Sequence, residues 1–225
     1  MNPFKQFRDL PNPTDSFERL FRAALESLLP DLAGCPWYVR EREVVNLFVF
    51  GQLVPRFQSE ALDIRQIGIE VPVQKLPESD AAKPERNAAA KPERNADIVV
   101  WPHVDATVWR TCKPLALIEW KNISRREERP GWLERGHKED IAFLERNASL
   151  ISVGYAVLTD QRNKRVELRC KRISQSPASD LFLKPLGCSV TYPESDVREL
   201  TGDYGEVKRP QECPKCIEPS EPQNE

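Results

Sequence analysis

Leu115-Ala116-Leu117-Ile118-Glu119-Trp120-Lys121 is an apolar run that ends by placing a carboxylate and an ammonium two residues apart. In an extended strand alternate side chains share a face, so Glu119 and Lys121 project together. A charge left unpaired in a half-buried strand is costly. The stretch therefore calls for a partner, a metal or a reaction. Upstream, Asp97-Ile98-Val99-Val100-Trp101 repeats the theme, with a carboxylate opening a β-branched run.

Working outward, Ile67, Ile69, Val71 and Val73 alternate with Gly68, Glu70 and Pro72, which reads as a strand with one buried face and an edge or bulge at Pro72. Strands are expected over 97–101, 115–121, 151–159 and 165–171, with a further one near 183–191. Phe17, Leu20, Phe21, Ala24, Leu25 and Leu28 form the stripe of an amphipathic helix, capped by Asp15 or Ser16 and stopped by Pro30. A second helix is expected from near Pro36 to Val54, with Val44, Val45 and Phe48 inward and Glu41 one turn before them. A third lies around 138–146, on Ile141, Phe143 and Leu144. Helix, three strands, helix, strand is an α/β pattern with a mixed central sheet flanked by helices.

A chain of 225 residues is long enough for one domain with a substantial core. We expect it over 1–202, with its core at about 36–172, an extra N-terminal helix, and a disordered tail, 203–225, rich in Pro, Glu, Gln and Asn. Ala-Ala-Lys-Pro-Glu-Arg-Asn-Ala occupies 81–88 and recurs unchanged at 89–96. So short a repeat, with a proline in each copy, reads as a flexible loop insertion over 76–96. A net charge of −2 argues against a strongly basic binder but permits a local basic patch. No apolar window approaches the ~20 residues of a membrane span, and the first residues lack the apolar core of a secretory signal. A cytoplasmic location is the expectation, and with it six cysteines as mostly reduced thiols. Cys213-Pro-Lys-Cys216 reads as two tail thiols or half of a zinc site.

Glu41 on a helix, Asp97 on a strand and Glu119-Trp120-Lys121 on the next strand resemble the motif of the PD-(D/E)XK nuclease superfamily, whose members have a restriction-endonuclease-like core. The match covers about 36–160. Glu41-Arg42-Glu43-Val44-Val45 is also similar to the first-helix segment of Holliday-junction resolvase-like members, where the first glutamate belongs to the active site. Glu206-Val207-Lys208 has the same Glu-x-Lys spacing but no apolar approach. Ala96 stands where the motif's proline would be, and the 97–119 separation is long, which assigns 102–113 to a hairpin loop. The resemblance implies a Mg²⁺-dependent phosphodiesterase, with Mn²⁺ as an alternative ion, acting on DNA before RNA. Asp97 and Glu119 would bind metal with the Trp120 carbonyl as an added ligand, Lys121 would act on the attacking water, and Glu41 would support them.

The residue types suit that chemistry independently. A phosphodiester is an anion, and hard divalent ions bound by carboxylates relieve its repulsion of hydroxide. The plain alternative for Glu119 and Lys121 is a solvated pair worth ~0–1 kcal/mol. Arg165, Arg169 and Lys171 would share one strand face, either as a nucleic-acid contact or as a solvated surface. Trp101, Trp120 and Trp132 could stack on bases, though tryptophan is more often core. His103 and His137 stand among polar residues and read as surface or loop. Cutting both strands of a duplex would call for a homodimer. The competing reading is a nuclease-fold protein that binds nucleic acid or a partner without turnover, or an interaction protein with a zinc-binding tail.

Overall fold

A computed structural model describes residues 4–34, 40–73, 94–104, 113–124, 131–162, 165–175 and 189–191. They lie in the first of two units, Met1–Thr191. The expected tail, Cys213 and Cys216 fall outside the described residues, as do 76–93 of the expected loop insertion.

The chain is α/β. Helices α1 (Pro13–Gly34), α2 (Glu41–Asn46) and α3 (Val54–Ser59) precede β1 (Ile67–Pro72), β2 (Asn95–Val100) and β3 (Ala116–Ile123). After α4 (Trp132–Arg146) come β4 (Val153–Asp160), β5 (Arg165–Ile173) and a short β6 (Ser189–Thr191). The strands form one mixed sheet in chain order. β3 and β4 are parallel, and every other neighbouring pair is antiparallel. A parallel neighbour cannot be reached by a tight turn, and α4 supplies the crossover. β3 is buried along its length except at Lys121, as a central strand covered on both faces should be.

The two faces have separate cores. On one, Leu117 and Val99 pack with Phe143 and Leu144 of α4. On the other, the Trp120 ring lies 5.0 Å from Phe48, and Tyr155 lies 4.4 Å from Phe21 of α1. Glu119 and Lys121 therefore belong to the α4 face and Trp120 to the opposite one.

Several expectations need correction. α1 begins at Pro13, with Asn12 as its cap: Asn12 O accepts from Ser16 N at 3.0 Å, and its side-chain oxygen accepts from Asp15 N at 3.5 Å. It also runs through Pro30 to Gly34. Interior proline costs ~3 kcal/mol, but Leu32 and Ala33 beyond it are buried and offset that cost. The second helix starts at Glu41, after an extended Arg40, and Pro36 lies outside the described residues. Glu43 caps it by accepting from Arg40 N at 3.0 Å. It continues past Val54 to Ser59 through a π-helical stretch, Leu47–Leu53, in which Val54 N reaches Val49 O. Pro55 has no N–H to donate to residue 51, and the widened turn accommodates that gap. The 76–96 insertion ends earlier than expected, because Asn95 and Ala96 already belong to β2. α4 starts at Trp132, six residues before the expected boundary. Pro72 ends β1, an edge strand, as its missing donor predicts.

Candidate active site

Ile98 pairs with Ile118 and Val99 with Leu117, so one step further along the same register Asp97 faces Glu119 across the strands. Asp97 Oδ2 accepts from the Trp120 backbone N at 2.7 Å, which ties it to β3. Lys121 follows on the same face, and its Nζ lies 3.3 Å from the Glu41 carboxylate at the start of α2. The capping bond of Glu43 turns that residue elsewhere and leaves Glu41 for the site. Glu41, Asp97, Glu119 and Lys121 are thus brought together.

Four further residues join them. Asp140 on α4 is buried, and its Oδ2 lies 3.4 Å from Lys121 Nζ. Gly136, one turn earlier on α4, lies against the lysine stem: a Cβ there would be in ordinary contact, 3.4 Å from Lys121 Cδ and Cε. Arg94, just before β2, places one nitrogen 2.6 Å from Glu119 and 2.9 Å from Asp140. Glu70 lies opposite Asp97 between the Ile69–Ile98 and Val71–Ala96 pairs, with φ of 55°. Together with Glu41, Arg42 and Asp97 it lines a small cleft.

Burial governs the electrostatics. Glu119 is 2% exposed. Burial, with Asp97 beside it, pushes its carboxyl up to about 9 despite Arg94. Burial raises Glu41 and Asp97 as well, against the pull of Lys121 and of the Trp120 N–H respectively. Burial disfavours the Lys121 ammonium, but Glu41, Asp140 and Asp97 outweigh it and hold its pKa above the ordinary value. His137 is not a surface or loop residue as expected. It sits half-buried on α4 and is kept neutral chiefly by burial, against the attraction of Asp140.

Other expected roles fare differently. The Trp120 carbonyl already accepts from Lys121 Nζ at 2.8 Å. Trp101 and Trp120 are core residues, which removes them as base-stacking surfaces. Arg165, Arg169 and Lys171 do share a face of β5, but each has an acidic partner: Glu167 at 3.2 Å for both arginines and Glu145 at 2.8 Å for the lysine. Exposed pairs of this kind are worth little and can be exchanged for phosphate.

Among the described residues no three Asp, Glu, His or Cys side chains are arranged to hold a metal ion. Lys121 and Arg94 bridge the acids instead, Lys121 between Glu41 and Asp140 and Arg94 between Glu119 and Asp140. The donor chemistry nevertheless fits a hard divalent cation. Four carboxyls face two cationic side chains, and Glu119 Oε1 is buried without a hydrogen bond.

No protein-family model matches the chain, and it resembles neither a curated protein nor a solved structure closely enough to count as a match. Among the described residues no helix is long and apolar enough to cross a membrane.

Proposed function

We propose that this chain is a metal-dependent nuclease of the PD-(D/E)XK kind with a restriction-endonuclease-like core, hydrolysing phosphodiester bonds of nucleic acid, DNA before RNA. The observation that carries the reading is the meeting of Asp97 and Glu119 on adjacent antiparallel strands with Lys121 and the helix-borne Glu41. The order of α2, three strands, crossover helix and parallel strand supports it.

Asp97 and Glu119 would hold Mg²⁺ or Mn²⁺, with Glu119 Oε1 as the oxygen free to do so. Bound there, the ion supplies the positive charge that lets hydroxide approach an anionic phosphodiester. Lys121 keeps its ammonium charged, orients the attacking water and offsets charge that develops on phosphorus. Glu41 and Asp140 fix that ammonium from two sides, while the Trp120 N–H holds the Asp97 carboxylate in place. A pair of such sites in a homodimer would cut both strands of a duplex.

Incubation of plasmid, single-stranded and branched DNA with Mg²⁺ or with EDTA tests the reading. We expect cleavage with Mg²⁺ that falls by roughly 10²-fold or more in Lys121→Ala. Intact substrates throughout, or cleavage indifferent to Lys121→Ala, would remove it. The contact of Arg94 with Glu119 favours a second reading, a nuclease-fold protein that binds nucleic acid without turnover. Binding of the same DNAs with no cleavage in any divalent ion would select it.

A further inference from the structure

Arg94 is held in the site from four directions. Its carbonyl accepts from Val73 N at 2.9 Å, and its guanidinium carbon lies 4.0 Å from the centre of the Phe143 ring. One nitrogen, Nη2, meets Glu119 Oε2 at 2.6 Å and Asp140 Oδ1 at 2.9 Å. A single cationic atom bridging two buried carboxylates from different elements stands where a shared metal ion would stand. We propose that Arg94 is a built-in cation that fills a second cation position, between Glu119 and Asp140, so that the site takes one divalent ion and not two. This rests on the nuclease reading for the first ion, at Asp97 and Glu119.

The charge balance agrees. With an ion in place of the proton that burial holds on Glu119, the four carboxylates of Glu41, Asp97, Glu119 and Asp140 exceed Lys121 and Arg94 by two negative charges, which is what one divalent ion neutralises. Glu119 divides its oxygens accordingly. Oε2 serves Arg94, and Oε1, buried and without a hydrogen bond, remains for the incoming ion. Removing the guanidinium would leave Asp140 and Glu119 facing one another with no cation between them, a second site for a hard ion.

Counting bound Mn²⁺ through the loss of the free-ion paramagnetic resonance signal tests this without reference to activity. We expect one ion per chain for the wild type, none for Asp97→Asn, two for Arg94→Gln, one for Arg94→Lys, and one again for Arg94→Gln with Asp140→Asn. One ion in both the wild type and Arg94→Gln, or two in the wild type, would overturn the proposal while leaving the nuclease reading standing. No ion in the wild type but one in Arg94→Gln would support Arg94 as the built-in cation and sink the nuclease reading. No ion in any variant would sink both. Should Arg94→Gln melt too early to titrate, its melting temperature must rise more with Mn²⁺ than that of the wild type, and an equal or smaller rise counts against the proposal.

Discussion

Glu119 holds its proton up to about pH 9 in the folded protein, while an ordinary glutamate ionises at 4.5. Between those values the folded state binds the extra proton, so stability falls as pH rises, by up to roughly 1.4 kcal/mol per unit. Metal-free protein should therefore melt lower at pH 8.5 than at pH 6, and Glu119→Gln should flatten that slope. Melts in EDTA at the two pH values decide the matter. Glu70 carries a different cost, since a non-glycine residue with φ of 55° is strained by about 1 kcal/mol. Glu70→Gly should raise stability by about 0.5–1 kcal/mol in chemical denaturation, whereas Glu70→Ala should give no such gain. The charges on β2 and β3 were legible in the sequence because each interrupts an apolar run. Asp140 was not, because Lys138 and Glu139 beside it make it look like part of a solvated helix face. Gly136 was the available signal: a glycine inside a helix, one turn from an acid, marks a face that lies close to another side chain, here Lys121. Arg94 was hidden by the repeat, whose polar composition reads as loop although its last residues enter β2.

At the scale of elements, alternation and apolar stripes located the strands and most of the helices. The end of the first helix was missed because Pro30 was read as a stop, and local propensity carries no record of what lies buried beyond it. Pro30 and Pro55 both lie inside continuous helical structure, one offset by burial and the other by a widened turn. The attachment of α1 was also invisible, since it depends on residues far apart in the chain. Glu18 of α1 is fully buried and accepts from Tyr155 Oη at 2.9 Å and from Arg172 Nε. Removing one member of a buried ion pair strands the other, so Arg172→Ala should cost about 3 kcal/mol or more. Tyr155→Phe should cost about 1 kcal/mol. Urea unfolding of the two variants should rank them in that order, and equal losses would contradict it.

For the whole molecule, the repeat bears on tolerance to change. Deleting 81–88 keeps Arg94 and β2 in place, and loop-closure entropy changes slowly with length. Stability of the shortened chain should stay within about 1 kcal/mol of the original, and a large fall in melting temperature would show that the first copy is structural. The buried contact of Glu18 also sets a timetable for synthesis. Phe21 can meet Phe48 soon after both emerge from the ribosome, but Tyr155, which packs on Phe17 and Phe21, and Arg172, which pairs with Glu18, are added more than a hundred residues later. A nascent chain must carry that part of the helix, with the charge of Glu18, unmatched for most of translation, which makes it the first place to look when overexpression yields aggregates.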